Sequence, residues 1–300
     1  MANRPLLKDY LLLHLCIIFW GFTSVLGVLS SLAAPYLVVY RTLLSFFTLL
    51  VIMRYRQGKI TLPSMHWGGI VAAGLLTSFH WTTFFASAQL SNVSTCLAGM
   101  STTALWTSIL EPVFFGKRFE WKEALLAMLV CGGLVIIYRS DISMAFGLSI
   151  SIISALACSL FSIINRRLVG HQPALLLTTW EMGIAFGGTL VAIPLLQGVG
   201  MLRPGLFEWP QGWDWLNILF LAWVCTVFAY TTSVELMKKF TAFAMNLTVN
   251  LEPVYGIFLG LLIFGAKEQM KPEFYLGLAL ILGGVFAYPL IQIRSKNQTD

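Results

Sequence analysis

The sequence predicts an all-α integral membrane protein of ten transmembrane helices, arranged as two five-helix repeats of inverted topology. Three observations lead there: an apolar composition, apolar runs of membrane-spanning length, and an alternation of basic residues between successive junctions. Of the 300 residues, 58% are hydrophobic and 11% charged, where soluble domains hold about 45–50% and about 25%. A chain of this length has no water-soluble shape that hides so much apolar surface, so its solvent is lipid.

A helix needs about 20 residues to cross a bilayer. The runs that qualify are 10–30, 35–53, 67–88, 93–115, 121–138, 143–164, 174–196, 214–236, 241–264 and 274–293. Proline, glycine or charge separates several of them, as at Ala34-Pro35, Gly58, Gly170 to Pro173 and Lys271-Pro272. The first run follows Arg4 and Lys8 as a signal peptide would. Its apolar stretch nevertheless exceeds the usual length of about 7–15 residues, and it reads as a retained helix. The longest connection, about Gln197 to Trp213, carries Pro204 and Pro210 and leaves no room for a soluble domain.

With the N-terminus cytoplasmic, ten spans place 14 of the 19 Lys and Arg residues inside, from Arg4 and Lys8 through Lys117, Arg118 and Lys122 to Arg294 and Lys296. Arg139, Arg203, Lys267 and Lys271 fall outside, and Arg41 lies within a span. Adding or removing one helix would scramble this pattern. The positive-inside bias therefore supports ten spans with both termini cytoplasmic. It also accounts for the net charge of +6 without a nucleic-acid partner; the expected partners are a small-molecule substrate and the bilayer. Cys16, Cys96, Cys131, Cys158 and Cys225 are scattered without metal spacing and read as small hydrophobes. No cofactor or metal site is expected, and the oligomeric state, monomer or homodimer, is left open.

Aligning Gly116 with Gly265 at an offset of 149 puts 91–115 over 240–264, Trp106 over Tyr255 and Ala104 over Pro253. Gly132-Gly133 then fall near Gly283-Gly284, two residues out of step, while Tyr40-Arg41-Thr42 sits over Trp180-Glu181-Met182 at an offset of 140. The dipeptides Glu111-Pro112 and Glu252-Pro253 look alike but do not align. The halves are expected at 1–140 and 141–300, and five helices per half invert the second in the membrane.

The segment Asn250-Leu251-Glu252-Pro253-Val254-Tyr255, continuing through Phe264-Gly265 and 277–284, resembles the second repeat of EamA-type members of the drug/metabolite transporter superfamily. Phe19-Trp20-Gly21 and Tyr40-Arg41-Thr42 fit the same pattern, and the resemblance covers about residues 10–293. It implies ten helices, inverted repeats, and export of amino acids or related metabolites across a bacterial inner membrane. The chain departs from that family's usual Gly-Glu after the fourth and ninth helices. Gly116 precedes Lys117, and Gly265 precedes Ala266 with Glu268 two places on; Ala104 replaces a mid-helix proline in the first repeat.

An ionisable side chain at mid-bilayer costs on the order of 2.5–3.5 kcal/mol on insertion scales, so each needs a partner or a wet cavity. Arg41, His80, Glu181 and Glu252 are the deep ones. Arg41 suits a substrate carboxylate or phosphate through its bidentate fork, or else a structural clamp; its repeat-mate Glu181 is the expected ion-pair partner. Glu252 lies beside Pro253, Asn246 and Asn250, where a freed carbonyl, two amides and a carboxylate can hold a proton, a cation or substrate. Glu181 and Glu252 are thus the coupling candidates. Glu111 and Glu235 are assigned to local pairing with Lys117-Arg118 and Lys238-Lys239. The lone His14 and His80 suit structural hydrogen bonds or a proton relay. Trp67, Trp121, Trp209, Trp213 and Trp215 fall at span ends, as an interfacial belt. Trp20, Trp81, Trp106, Trp180 and Trp223 lie within spans, and the candidate substrate-binding set is Trp20, Arg41, His80, Trp81, Trp106, Trp180, Tyr230, Asn246 and Asn250. The expected function is secondary export of amphipathic or aromatic metabolites by alternating access between the repeats. The alternatives are a membrane enzyme, for which no ligand set such as HExxH is present, or a channel-like or uptake permease of the same fold.

Overall fold

Proline, glycine and hydroxyl residues set where each helix of this chain starts, breaks and stops. The structure is a computed structural model and describes residues 5–116, 121–205 and 207–296, with backbone alone at 121–128, 285 and 288–296. The sequence readings on Arg4, Lys117 and Arg118, and on the side chains of Trp121, Lys122, Arg294 and Lys296, lie outside the described residues. About 81% of the chain is helical, with no strand among the described residues.

The first run is two consecutive helices, α1 (Leu7–Gly21) and α2 (Thr23–Leu29), meeting at Phe22. Next come α3 (Ala34–Gln57) and α4 (Trp67–Leu90). Pro35 enters α3 in its first turn, where a missing N–H costs nothing, and Gly58 ends it in the left-handed region at φ 71°. The fourth run divides into α5 (Val93–Met100) and α6 (Thr103–Phe115), followed by α7 (Trp121–Ser140). Then come α8 (Ala145–Leu168) and α9 (Ala174–Gly198). The eighth run starts as α10 (Asp214–Leu219), widens into π turns over Phe220–Phe228, and finishes as α11 (Ala229–Leu236). The ninth divides into α12 (Ala242–Val249) and α13 (Glu252–Phe264), and α14 (Pro272–Lys296) closes the described chain.

Among the described residues, eight stretches are long and apolar enough to span a membrane: Leu7–Leu29, Ala34–Gln57, Trp67–Leu90, Val93–Phe115, Ile142–Leu168, Ala174–Gly198, Asp214–Leu236 and Ala242–Glu268. The other two expected spans are helices whose apolar portions are shorter, Leu129–Ser140 and Pro272–Gly284. The span count is therefore eight plus two shorter apolar helices. Those two pack on each other through glycine. A Cβ on Gly133 would come 2.6 Å from the carbonyl oxygen of Gly277, and one on Gly277 would come 2.7 Å from that of Gly133. The mates in contact are thus Gly133 and Gly277; Gly132 and Gly283, which the repeat alignment brought forward, would meet nothing within 4 Å.

The helix pairs α5/α6 and α12/α13 share their bounds at the predicted offset: Val93 and Ala242, Met100 and Val249, Thr103 and Glu252, and Phe115 and Phe264 are each 149 apart. Both break at mid-span by different chemistry. Pro253 sits in the first turn of α13 and withholds the N–H that would continue α12. The first repeat has no proline there. Instead the hydroxyls of Ser101, Thr102 and Thr103 donate to the carbonyls of Ala98, Gly99 and Met100 at 2.6, 2.7 and 2.7 Å, competing with helical N–H groups for those acceptors.

The bundle has two ends. At the near end α1 begins, α3 and α6 stop, and α11 passes into α12; Lys239 Nζ lies 2.8 Å from Asp9 Oδ1 across it. At the far end α2 passes into α3, α4 into α5, and α9 towards α10. Of the described basic residues outside mid-span, Lys8, Arg54, Arg56, Lys59, Arg166, Arg167, Lys238 and Lys239 lie at the near end, and Arg139, Arg203, Lys267 and Lys271 at the far end.

A candidate substrate cavity and two carboxylate clasps

Between these ends lies a cavity lined by residues from both halves of the chain. Trp20, Arg41, His80, Trp81, Tyr230, Asn246 and Glu252, all singled out from the sequence, stand in its wall. So do Thr23, Phe84, Phe161 and Ser162. Met237, just past α11, and Met245, in the first turn of α12, carry the cavity from mid-depth toward the near end. Among the described residues, α7 and α14 contribute nothing to this wall.

Arg41 is 2% exposed. Its guanidinium carbon lies 3.7 Å from the centroid of the Trp81 ring, an attraction worth about 2 kcal/mol when desolvated. Its Nε donates to Thr226 Oγ1 at 2.8 Å. Thr226 can accept because its own hydroxyl hydrogen goes to the Leu221 carbonyl five residues back, 2.8 Å away, a geometry the π turns provide. The expected pairing of Arg41 with Glu181 is not made: among the described residues the salt bridges are Lys238–Glu235 and Lys239–Asp9. Arg41 turns onto Trp81, while Glu181 is held by α8 and α11, which explains the separation. Glu252, the first residue of α13, faces the same cavity as Arg41.

The other wall residues are fixed from behind. Trp20 Nε1 donates to the Cys225 carbonyl at 3.0 Å. His80 Nδ1 lies 2.8 Å from Ser154 Oγ, which donates to the His80 carbonyl at 2.8 Å. Asn246 Nδ2 donates to Thr107 Oγ1 at 2.8 Å. Tyr230 stands edge-on to Trp81, with ring centroids 5.8 Å apart.

Three candidates stand elsewhere. Trp180 Nε1 donates to the Thr61 carbonyl at 2.9 Å, and its ring packs on Phe46 and Trp67; depth along a span does not reveal which face a side chain takes. Trp106 is half-buried against the core with Nε1 unpartnered, and Asn250 caps the end of α12 with Nδ2 unpartnered. Trp223 is 49% exposed and bonds Thr48 Oγ1 at 3.1 Å. Trp67, Trp209, Trp213 and Trp215 are exposed.

Glu111, whose expected partners Lys117 and Arg118 lie outside the described residues, has a bond across the bundle. It is buried, and its Oε2 accepts from Phe243 N at 2.9 Å, in the first turn of α12. Glu268 acts likewise at the far end, accepting from Val93 N and Ser94 N at 2.9 Å each and from Ser94 Oγ at 2.8 Å. Each helix N-terminus leaves amides without partners, and a carboxylate there satisfies them and complements the dipole. Glu235 keeps its expected local partner, Lys238, at 2.7 Å.

The sequence model of the EamA-like transporter family matches residues 7–139 and again 145–288. The chain belongs to that family. EamA-like proteins are membrane transporters of the drug/metabolite superfamily. One solved crystal structure of a protein aligns with a TM-score of 0.66 over 96% of this chain and 98% of that one, at 17% identity, a likeness of fold. No curated protein matches the chain by sequence.

Proposed function

We propose that this chain exports an amphipathic metabolite, of the aromatic or amino-acid class, across the cytoplasmic membrane by alternating access between repeats 1–140 and 141–300. One observation carries the reading: a buried guanidinium laid on Trp81 shares an aromatic-walled cavity with the Glu252 carboxyl. An aromatic zwitterion matches those walls: its ring meets Trp20, Phe84 or Phe161, its carboxylate meets Arg41, and its ammonium meets Glu252. The matched helix bounds at offset 149, the reciprocal glycine contact, and the two mid-span breaks support the inverted-repeat reading. The basic near end supports a cytoplasmic position for both termini, in which case the cavity extends toward the cytoplasm.

The deciding experiment is flux of labelled tryptophan, as a probe of that class, from vesicles holding the purified protein, together with a comparison of metabolites released by cells with and without it. Arg41→Ala should reduce affinity by about tenfold or more, the scale of one charge-assisted contact, with Arg41→Lys between. Unchanged flux in Arg41→Ala would remove Arg41 from the solute site. Reporter fusions should place both termini in the cytoplasm.

A further inference from the structure

Behind the cavity wall, Glu181 of α9 is fully buried. Its Oε2 accepts from Tyr230 Oη at 2.9 Å and from Asn165 Nδ2 at 3.2 Å, and the same Asn165 nitrogen donates to Tyr230 Oη at 2.9 Å. Two atoms of this cluster are left over, Glu181 Oε1 and Asn165 Oδ1, both buried without a hydrogen-bond partner. An ionised carboxyl oxygen and an amide carbonyl oxygen are both acceptors. The cluster is therefore short of donors, and its one anion has no basic partner. An unpaired charge in such a place costs more than a fold tolerates.

We propose that Glu181, with Asn165 and Tyr230, forms a proton-binding site. One proton added to Glu181 Oε1 turns the carboxylate into a neutral acid, cancels the unpaired charge and supplies a donor to a cluster left with acceptors only. The proton leaves by the reverse step, with no other bond changed. Tyr230 bridges the two regions, because its ring stands in the cavity wall and its hydroxyl donates to Glu181. A solute entering the cavity touches the residue that holds the protonated group.

The surroundings fit a proton better than a metal ion. Hard divalent cations take six or more oxygen ligands, whereas here Asn165 Nδ2 and Tyr230 Oη point hydrogens at the carboxyl. No group of three or more His, Cys, Asp or Glu side chains converges among the described residues. The elements packed on α9 bring few other ionisable groups. From α3 comes Arg41, engaged by Thr226 and Trp81; from α4 His80, held by Ser154; from α11 Tyr230 itself, with Glu235 paired to Lys238 at that helix's end. Gly74 lets α4 lie close against α9, since a Cβ there would come 2.8 Å from Ile184 Cβ and 2.9 Å from the backbone carbonyl oxygen of Glu181.

The site deepens the transporter reading but is tested without it. Infrared difference spectra of the purified protein, taken across a pH titration, report the carbonyl stretch of a buried carboxylic acid. Wild type should show a band that shifts in heavy water. Glu181→Gln should lose it, Glu252→Gln should keep it, and Tyr230→Phe should move its frequency because a hydrogen-bond donor is gone. If Glu181→Gln folds poorly, Tyr230→Phe decides the matter alone. A band unchanged in Tyr230→Phe or in Glu181→Gln overturns the assignment, and a band that responds to sodium instead of pH replaces the proton with a cation. Tryptophan flux is measured on the same preparations; failure of flux with the band intact counts against the transporter reading and leaves the proton site standing.

Discussion

Ser94 and Phe243 hold matching places in α5 and α12, and each amide meets a carboxylate from the other half of the chain. The two carboxylates nevertheless come from different places. Glu111 lies inside α6, before Gly116, whereas Glu268 lies past Gly265 in the turn that follows α13. Among the described residues Glu268 accepts three hydrogen bonds and Glu111 accepts one. The two ends of the bundle differ in the same sense. At the far end Asp214 accepts from Ser30 Oγ, Ser31 N, Ser31 Oγ and Gln211 N, and Glu208 accepts from Ala33 N. Gln89 adds bonds to the carbonyls of Gly27 and Leu32. The near end has the Glu111 clasp and the Lys239–Asp9 ion pair. Among the described residues the far end is tied through more carboxylate-to-backbone bonds, whereas the near end has one such clasp, at Glu111, and an ion pair whose lysine is partly exposed.

Removing the far-end anchors should therefore cost most. Asp214→Ala strands four donors, two of them backbone amides, and should lower unfolding free energy by about 3 kcal/mol, read as a fall in the thermal midpoint in detergent. Glu268→Ala strands the first amides of α5 and should cost about 2 kcal/mol. Glu111→Ala removes one bond at the near end and should cost about 1 kcal/mol. If Glu111→Ala proves as damaging as Glu268→Ala, the ends are equivalent and the comparison fails. Asp9→Asn should have the smallest effect, visible at low salt and fading as salt rises, as befits an ion pair whose lysine is 29% exposed. A salt-independent loss would place that pair among the buried anchors.

Much of the architecture was legible because lipid enforces it. The expected run 214–236 matches Asp214–Leu236 and 93–115 matches Val93–Phe115, since span length is fixed by bilayer thickness. What the sequence concealed depends on facing. Trp180 and Trp81 both read as mid-span aromatics, and only packing separates the loop-bound ring from the one beneath Arg41. Thr226 and Asn165 gave no warning, as single polar residues in apolar helices are common and carry no spacing rule. The break in the first repeat did leave a signal, the run Ser101-Thr102-Thr103, which was hidden by the expectation that proline breaks helices. The clasp by Glu111 was not legible because its bond crosses to another helix, α12, far away in sequence.

The contact between Gly133 and Gly277 has a consequence for synthesis. Gly133 leaves the ribosome 144 residues ahead of Gly277, so the groove on α7 faces lipid until α14 is made. The eight longer spans, which hold all of the described cavity wall except Met237, can assemble in that interval. The last pairing then locks an already formed pathway from outside, and a bulky residue at Gly277 should be registered by the cell as a late assembly fault, with the earlier helices inserted and the final one unmated.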